Sequence, residues 1–198
     1  MPPPTIAELV VGDEPAAWER LGFAISDGRA AVGATSVVLA GGGGGLRSWG
    51  LRDVPPGDID GLPTTVAAAD SDPGKHPNAA TRIDHVVVTT PNLRRTLGAL
   101  QQAGMELRRV REHSDTLHQG FFRLGEVILE VVGPPQPSGD EPARFWGLVA
   151  VVPDVDELVA GAEPGFFGAP RAAVQEGRRI VTVKEAAGLS VALAFITP

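Results

Sequence analysis

Residues 82–135 read RIDHVVVTTPNLRRTLGALQQAGMELRRVREHSDTLHQGFFRLGEVILEVVGPP: a β-branched run, a helical pattern and three further strand patterns. The same order recurs, with different residues, from Phe145 to the C-terminus. A repeat of about 50 residues indicates units that pack against one another to bury a shared core. We therefore predict an α+β fold in which tandem βαβββ modules form curled mixed sheets around a pocket.

Local signals within this stretch support the order. Residues 83–89 form a continuous β-branched run, and Thr90 followed by Pro91 predicts a helix start with threonine as the cap. Three leucines then share one helical face before a glycine that suits a left-handed helix end: Leu93, Leu97, Leu100 and Gly104. Strand patterns close the unit at residues 106–110, 117–124 and 127–132.

The C-terminal part of the chain predicts a second module of the same kind. This βαβββ module covers residues 143–198, and the first one covers residues 81–135. Residues 63–80 are rich in alanine, aspartate and proline and lack apolar periodicity. Such a composition predicts a connector between the N-terminal third and the two modules.

The N-terminal third carries a degenerate version of the unit. Residues 1–62 predict a degenerate βαβββ unit, with one strand at residues 23–25, followed by a partial repeat. The partial repeat is indicated by WGLRDVPPGDIDGL at residues 49–62, which mirrors WGLVAVVPDVDEL at residues 146–158. The chain therefore reads as two paired halves, of which the first is degenerate.

Composition excludes several classes of protein. The net charge of −7 argues against nucleic acid and anionic membranes as partners, since both need concentrated lysine and arginine. No run approaches the roughly 20 apolar residues that span a bilayer, and no secretory signal pattern opens the chain, so we expect a cytoplasmic protein. Without cysteine, any metal must be held by histidine, carboxylate or amide oxygen.

Strand alternation places two candidate metal ligands on one side of the predicted sheet. His85 shares a strand face with Ile83 and Val87, and Glu130 shares a face of the last strand with Ile128. A histidine and a glutamate from the first and last strands of a curved sheet supply two ligands for a divalent cation. A third ligand is needed to complete such a site.

The first module resembles the vicinal oxygen chelate superfamily, which has the glyoxalase and bleomycin-resistance type of fold and includes dioxygenases. The resemblance covers residues 82–198 and, more faintly, 5–62. It is carried by IDHVVV at 83–88, TPNL at 90–93 and FRLGEVILEVV at 122–132. In that family the first-strand histidine and last-strand glutamate of a module coordinate a divalent metal that chelates vicinal oxygens of the substrate. The resemblance implies these roles for His85 and Glu130.

The paired module departs from the family pattern. Its matching positions are Gly147 and about Leu193, which cannot bind a metal. The third ligand would then come from Gln119 or His118, of which only one can face the pocket, from Glu8 or from another subunit.

Three hypotheses stay open at this point, and the third is a purely structural or oligomerising module, which would have no cavity between its sheets. The first is a glyoxalase-like enzyme in which zinc, nickel, manganese or iron, held by His85, Glu130 and Gln119, acts as a Lewis acid with Glu130 as catalytic residue. Isomerase, lyase, epimerase and dioxygenase chemistry are all compatible. The second is a metal-free protein that binds or sequesters a small molecule or an antibiotic. The partner is a small molecule in either case, and the family habit of pairing modules predicts a homodimer. The side chains expected to line the pocket are Phe121, His118, Trp146 and Glu8.

Overall fold

The computed structural model describes residues 3–67 and 73–198, and its strands form two mixed sheets. The elements of the first sheet and its helix are β1 (Thr5–Val11), α1 (Pro15–Arg20), β2 (Arg29–Val32), β3 (Thr35–Leu39), β4 (Leu46–Arg52), β5 (Gly57–Ile59) and β6 (Leu62–Val66). The strand order in this six-stranded sheet is β2-β3-β1-β4-β6-β5.

The second sheet has eight strands and belongs to the C-terminal two-thirds of the chain. Its elements are β7 (Arg82–Thr89), α2 (Leu93–Gln102), β8 (Leu107–Ser114), β9 (Leu117–Leu124), β10 (Val127–Gly133), β11 (Arg144–Val151), α3 (Val155–Ala160), β12 (Arg171–Ala172), β13 (Arg179–Thr182), a 3₁₀ turn (Glu185–Ala187) and β14 (Ala192–Ile196). The strand order is β12-β13-β14-β11-β7-β10-β9-β8. Strands β8 and β12 are therefore the two edges of this sheet.

The two sheets follow one pairing scheme. Antiparallel strands β1 and β4 form the centre of the first sheet, and each has a parallel neighbour, β3 and β6 respectively. Antiparallel strands β7 and β11 form the centre of the second sheet, with parallel neighbours β10 and β14. The strands and helices confirm the predicted α+β class with mixed sheets.

Each of the four central strands contains a register shift that leaves one residue unpaired. The unpaired residues are Ala7, Arg47, Asp84 and Trp146. The residues that directly follow them are Glu8, Ser48, His85 and Gly147. A β-bulge of this kind re-aims the side chains around it. The bulges therefore define four equivalent positions, one on each central strand.

The bulges correct two predictions that assumed regular strands. Ile83 lies in the core with Val86 instead of sharing the face of His85, because the extra residue Asp84 breaks the alternation. The two WGL motifs are also not equivalent. Trp49 is fully buried opposite Leu9, whereas Trp146 is an unpaired bulge residue with 59% of its surface exposed.

Three further local predictions were wrong. Residues 23–25 form no strand, because Phe23 packs instead into the core beside Trp18, with ring centroids 4.7 Å apart. The cap of α2 is Asn92 and not Thr90, since the Asn92 side chain accepts a hydrogen bond from the backbone of Arg95. Without a strand at residues 23–25, the N-terminal unit has the order βαββ instead of the predicted βαβββ.

The predicted connector, residues 63–80, is partly structured. Its first four residues belong to β6, and residues 68–72 lie outside the described residues. His76 is only 8% exposed; its Nδ1 accepts a hydrogen bond from the backbone of Ala24, and its Nε2 donates to the Ala31 carbonyl. His76 is therefore tied to the N-terminal third of the chain.

One apolar core joins the two halves. It contains large buried side chains from both sheets, among them Leu9, Trp18, Ile83 and Phe122. Phe23 stacks on Phe195 with ring centroids 5.8 Å apart. In the part of the chain that the structure describes, no helix combines the length and the apolar character that a membrane crossing requires.

Candidate functional site

A cavity of about 400 Å³ opens on one face of the eight-stranded sheet. The opposite face carries α2, where Leu97 packs closely against Gly120 of β9. The volume lies in the range of small-molecule binding sites. The lining residues are His85, Arg109, Arg111, His113, Gln119, Phe121, Glu130, Arg171, Ala172, Ala173, Val174, Gln175, Ile180 and Ile196.

The cavity brings together four of the seven predicted site residues. His85, Gln119, Phe121 and Glu130 all line it. Strands β7, β10 and β9 are adjacent in the sheet, so these side chains project from neighbouring strands onto one face. Glu130 and His85 both face the cavity, on one side of the sheet, as strand alternation predicted. Ile83, which was predicted to share the face of His85, lies in the core instead.

The other three predicted site residues lie elsewhere. His118 belongs to the opposite face of β9, which it shares with the buried Phe122, because neighbouring residues on a strand point to opposite sides. Trp146 projects from its bulge into solvent. Glu8 belongs to the other sheet, where its Oε2 lies 2.6 Å from Nη1 of Arg29.

Gln119 and Glu130 form a bonded pair on the cavity wall. Gln119 Nε2 donates to Glu130 Oε1 at 2.6 Å, which fixes the orientation of the amide. Its other atom, Oε1, is buried and has no hydrogen-bond partner among the described residues. A buried polar atom without a partner costs about 1–3 kcal/mol. Gln119 Oε1 is therefore an acceptor that a ligand, an ion or a water molecule would satisfy.

Asp84, the bulge residue, sets the orientation of His85. Asp84 Oδ2 lies 2.8 Å from Nδ1 of His85, and Asp84 Oδ1 accepts from Nη2 of Arg178 at 2.9 Å and from Nη1 of Arg82 at 3.2 Å. An ionised carboxylate only accepts hydrogen bonds, so Nδ1 carries the proton. His85 Nε2 is then the atom with an available lone pair.

The charge of Asp84 is stabilised although the group is buried. Burial alone would raise the pKa of Asp84, but hydrogen bonds from His85 and Arg178, together with the positive charge of Arg178, hold it well below its ordinary value. Its side chain is 4% exposed and that of Arg178 is 16% exposed. The carboxylate therefore stays ionised and keeps the orientation of the imidazole.

The donor atoms in the cavity fit a divalent cation. His85 Nε2, a Glu130 carboxylate oxygen and the unpartnered Gln119 Oε1 are one nitrogen and two oxygens, which suits borderline metals such as manganese, iron, nickel or zinc. A carboxylate that orients the other nitrogen of a ligating histidine is typical of metal sites. Across residues 3–67 and 73–198, no three histidine, aspartate or glutamate side chains form a cluster that could hold a metal. The amide oxygen of Gln119 is thus needed as third ligand.

Sequence reasoning missed Asp84 and Arg178 as supports of His85. Asp84 stands beside His85 in the quoted motif, but its role depends on the bulge. Arg178 lies 94 residues away in sequence from Asp84, and no local signal connects the two. Three arginines of the cavity were also missed, although the spacing of two of them, Arg109 and Arg111, matches one face of a strand.

Among the comparisons with known proteins, only the comparison with solved structures found similar proteins. No family model matches the sequence, and the search of curated proteins finds no match. Methylmalonyl-CoA epimerase from Mycobacterium tuberculosis is 14% identical, with a TM-score of 0.47 over 61% of this chain and 89% of that one. A hypothetical protein from Bacillus halodurans is 12% identical, with a TM-score of 0.48 over 59% and 94%. A variant of the Streptomyces coelicolor methylmalonyl-CoA epimerase, in complex with 2-nitronate-propionyl-CoA, is 18% identical, with a TM-score of 0.45 over 60% and 94%.

Proposed function

We propose that this protein is a small-molecule enzyme that holds a divalent metal ion through His85, Glu130 and Gln119. The observation that carries the proposal is the buried Gln119 Oε1, which lacks a partner and lies beside a carboxylate on the wall of a cavity. A bound cation would supply Lewis-acid polarisation of a substrate oxygen. Isomerase, lyase, epimerase and dioxygenase reactions are all compatible with such a site.

The protein's own residues have separate roles in this proposal. Asp84 holds the proton on His85 Nδ1 and so keeps Nε2 available. Gln119 engages Glu130 Oε1, which leaves Oε2 of the same carboxylate for the cation or for a proton taken from the substrate. The apolar side chains of Phe121, Ile180 and Ile196 form part of the wall and limit the water around the substrate.

Metal titration by calorimetry tests the proposal. We expect the protein to bind one Mn²⁺, Ni²⁺ or Zn²⁺ ion, and His85→Ala and Glu130→Gln to weaken binding by about tenfold or more, since loss of orienting groups alone costs that much. His118→Ala and Glu8→Gln are matched controls, because these residues lie outside the cavity. Absence of binding to the parent protein, or equal losses in the controls, would overturn the proposal.

The second candidate is a metal-free protein that binds a small molecule in the same cavity. It is favoured by the lack, among the described residues, of a cluster of three histidine or carboxylate ligands. Thermal unfolding separates the two functions, because a ligand raises the melting temperature of the state that binds it. Stabilisation by metals supports the enzyme. Stabilisation by organic ligands in the presence of a chelator, with none by metals, supports the binding protein.

A further inference from the structure

The two edge strands of the eight-stranded sheet meet at the mouth of one cavity. Arg109 on β8 lies opposite Phe121, which lies opposite Glu130. At the other end of the sheet, Arg171 on β12 lies opposite Ile180, which lies opposite Ile196. Strands at opposite edges line the same cavity only if the sheet curls on itself.

This curl gathers three arginines around the cavity. Arg109 and Arg111 come from β8, and Arg171 comes from β12. The guanidinium carbon of Arg109 lies 5.2 Å from the ring centroid of Phe121, a cation–π contact that holds it over the cavity wall. The arginines are far apart along the chain, so their proximity is a property of the fold.

The three arginines have no acidic partner in the described part of the chain. Other arginines do, as the pairs of Arg29 with Glu8 and of Arg178 with Asp84 show. Among the described residues that line the cavity, Glu130 is the single acidic one, against three arginines. The net charge of the chain is −7, so three arginines without acidic partners form a local excess of positive charge. Such an excess of positive charge attracts an anion.

Guanidinium groups select a particular ligand chemistry. Their planar fork of N–H donors matches the oxygens of carboxylate and phosphate groups. Apolar side chains, including Ile180 and Ile196, share the lining with these arginines and with His85 and Glu130. A ligand that satisfies all these groups has a charged oxyanion, an apolar segment and a further oxygen.

We infer that the cavity takes a small organic anion whose carboxylate or phosphate is held by Arg109, Arg111 and Arg171. The inference rests on the proposed function in placing the other, oxygen-bearing end of the substrate against His85 and Glu130. The arginine contacts themselves require no metal. The substrate class is therefore an organic acid or a phosphate ester.

Calorimetric titration in the presence of a chelator tests this site without the metal. The probes are succinate, glycerol phosphate and, as the neutral counterpart of succinate, succinamide, all at constant ionic strength. We expect one or both anions to bind and succinamide not to bind. Succinate binding alone would assign the site to carboxylates, and glycerol phosphate binding alone would assign it to phosphate esters. Equal binding of succinamide and succinate, or binding of neither anion, would overturn the inference.

Arginine variants locate the bound anion. Arg109→Gln, Arg111→Gln and Arg171→Gln each remove one exposed guanidinium, and we expect each to weaken anion binding about tenfold. Arg94→Gln is the matched control, because Arg94 is exposed on α2 and outside the lining. An equal loss in this control would attribute binding to overall charge and overturn the inference.

The two kinds of titration distinguish a failure of the arginine site from a failure of the proposed metal site. Anion binding that persists in the chelator, with no metal binding, would uphold the arginine site and remove the metal. Metal binding at His85 and Glu130 without anion binding would uphold the metal site and overturn the substrate class.

Discussion

The two halves of the molecule share a strand-pairing scheme but differ at the positions where the second half has its cavity. Both have two antiparallel central strands, each with a parallel neighbour and each with a bulge. The bulge residue is Ala7 on β1 and Asp84 on β7. The next residue is Glu8 in the first half and His85 in the second.

The residues at these equivalent positions also have different bonding partners. Glu8 is occupied by Arg29, whereas His85 is oriented by a buried carboxylate and keeps one nitrogen available. Among residues 3–67 and 73–198, the first sheet has no strand in the position of β8, the edge strand that carries Arg109 and Arg111. The second half thus differs from the first in having a buried carboxylate, Asp84, at the bulge of its first strand, and a longer sheet.

The largest expected effect concerns the bulge on β7. Asp84→Ala gives this bulge the residue of the first half and leaves Arg178 and His85 without their buried partner. Breaking a buried ion pair from one side costs about 3–5 kcal/mol. We expect a loss of that size in the free energy of unfolding, measured by urea denaturation of the metal-free protein at pH 7. A loss below about 1 kcal/mol would contradict the role given to Asp84.

The same comparison has an expected dependence on pH. The pKa of Asp84 is lower in the folded than in the unfolded protein, where it is about 3.9, so ionised Asp84 stabilises the fold fully above that value. This stabilisation is lost as the pH falls towards the folded pKa. The difference between the parent protein and Asp84→Ala should therefore be smaller at pH 3 than at pH 7. A difference in stability that grows on acidification would contradict a lowered pKa for Asp84.

The next effect concerns Gly147, the position on β11 equivalent to Ser48 on β4. A Cβ at Gly147 would clash with the carbonyl oxygen of Ala192 and would lie 2.9 Å from the Ala192 Cβ. The first contact is with backbone, which cannot rotate away. We expect Gly147→Ala to lower the free energy of unfolding by about 1–3 kcal/mol, as overpacking does.

Gly98 provides the matched control for this substitution. It lies inside α2, and a Cβ there would meet nothing within 4 Å. Gly98→Ala should stabilise the protein by about 0.5–1 kcal/mol, because glycine is unfavourable inside a helix. If both variants changed stability in the same direction, the close approach of β11 and β14 at Gly147 would not be the reason for this glycine.

The smallest effect is expected for the ion pair of the first half. The side chains of Arg29 and Glu8 are 48% and 26% exposed, so water screens their attraction. Arg29→Gln should lower the free energy of unfolding by at most about 1 kcal/mol. Denaturation under the conditions used for Asp84→Ala checks this, and a loss as large as in that variant would remove the distinction between the halves.

Local sequence predicted the elements well where local forces decide them. The β-branched run before Thr90 is a strand, and the leucine spacing gives α2. The duplicated order followed from these elements. Glu130 was assigned to the strand face that it occupies because alternation along a strand depends only on neighbouring residues.

The features of the fold and of the site that the sequence did not predict depend on contacts between residues that are distant in sequence. A bulge adds one residue to a strand without a distinct composition, so Asp84 and Trp146 could not be recognised as bulge residues. The choice between His118 and Gln119 depends on which face α2 covers, and that is a tertiary contact. Arg171 reaches the cavity only because the sheet curls.

We propose that the second half binds a metal ion at the position where the first half has the ion pair of Glu8 and Arg29. Anomalous diffraction from crystals grown with Mn²⁺ tests this most directly. We expect one anomalous peak within bonding distance of His85 Nε2 and the Glu130 carboxylate, and none beside Glu8. A cavity without a peak in manganese-saturated crystals, or a peak at Glu8 instead, would contradict the account.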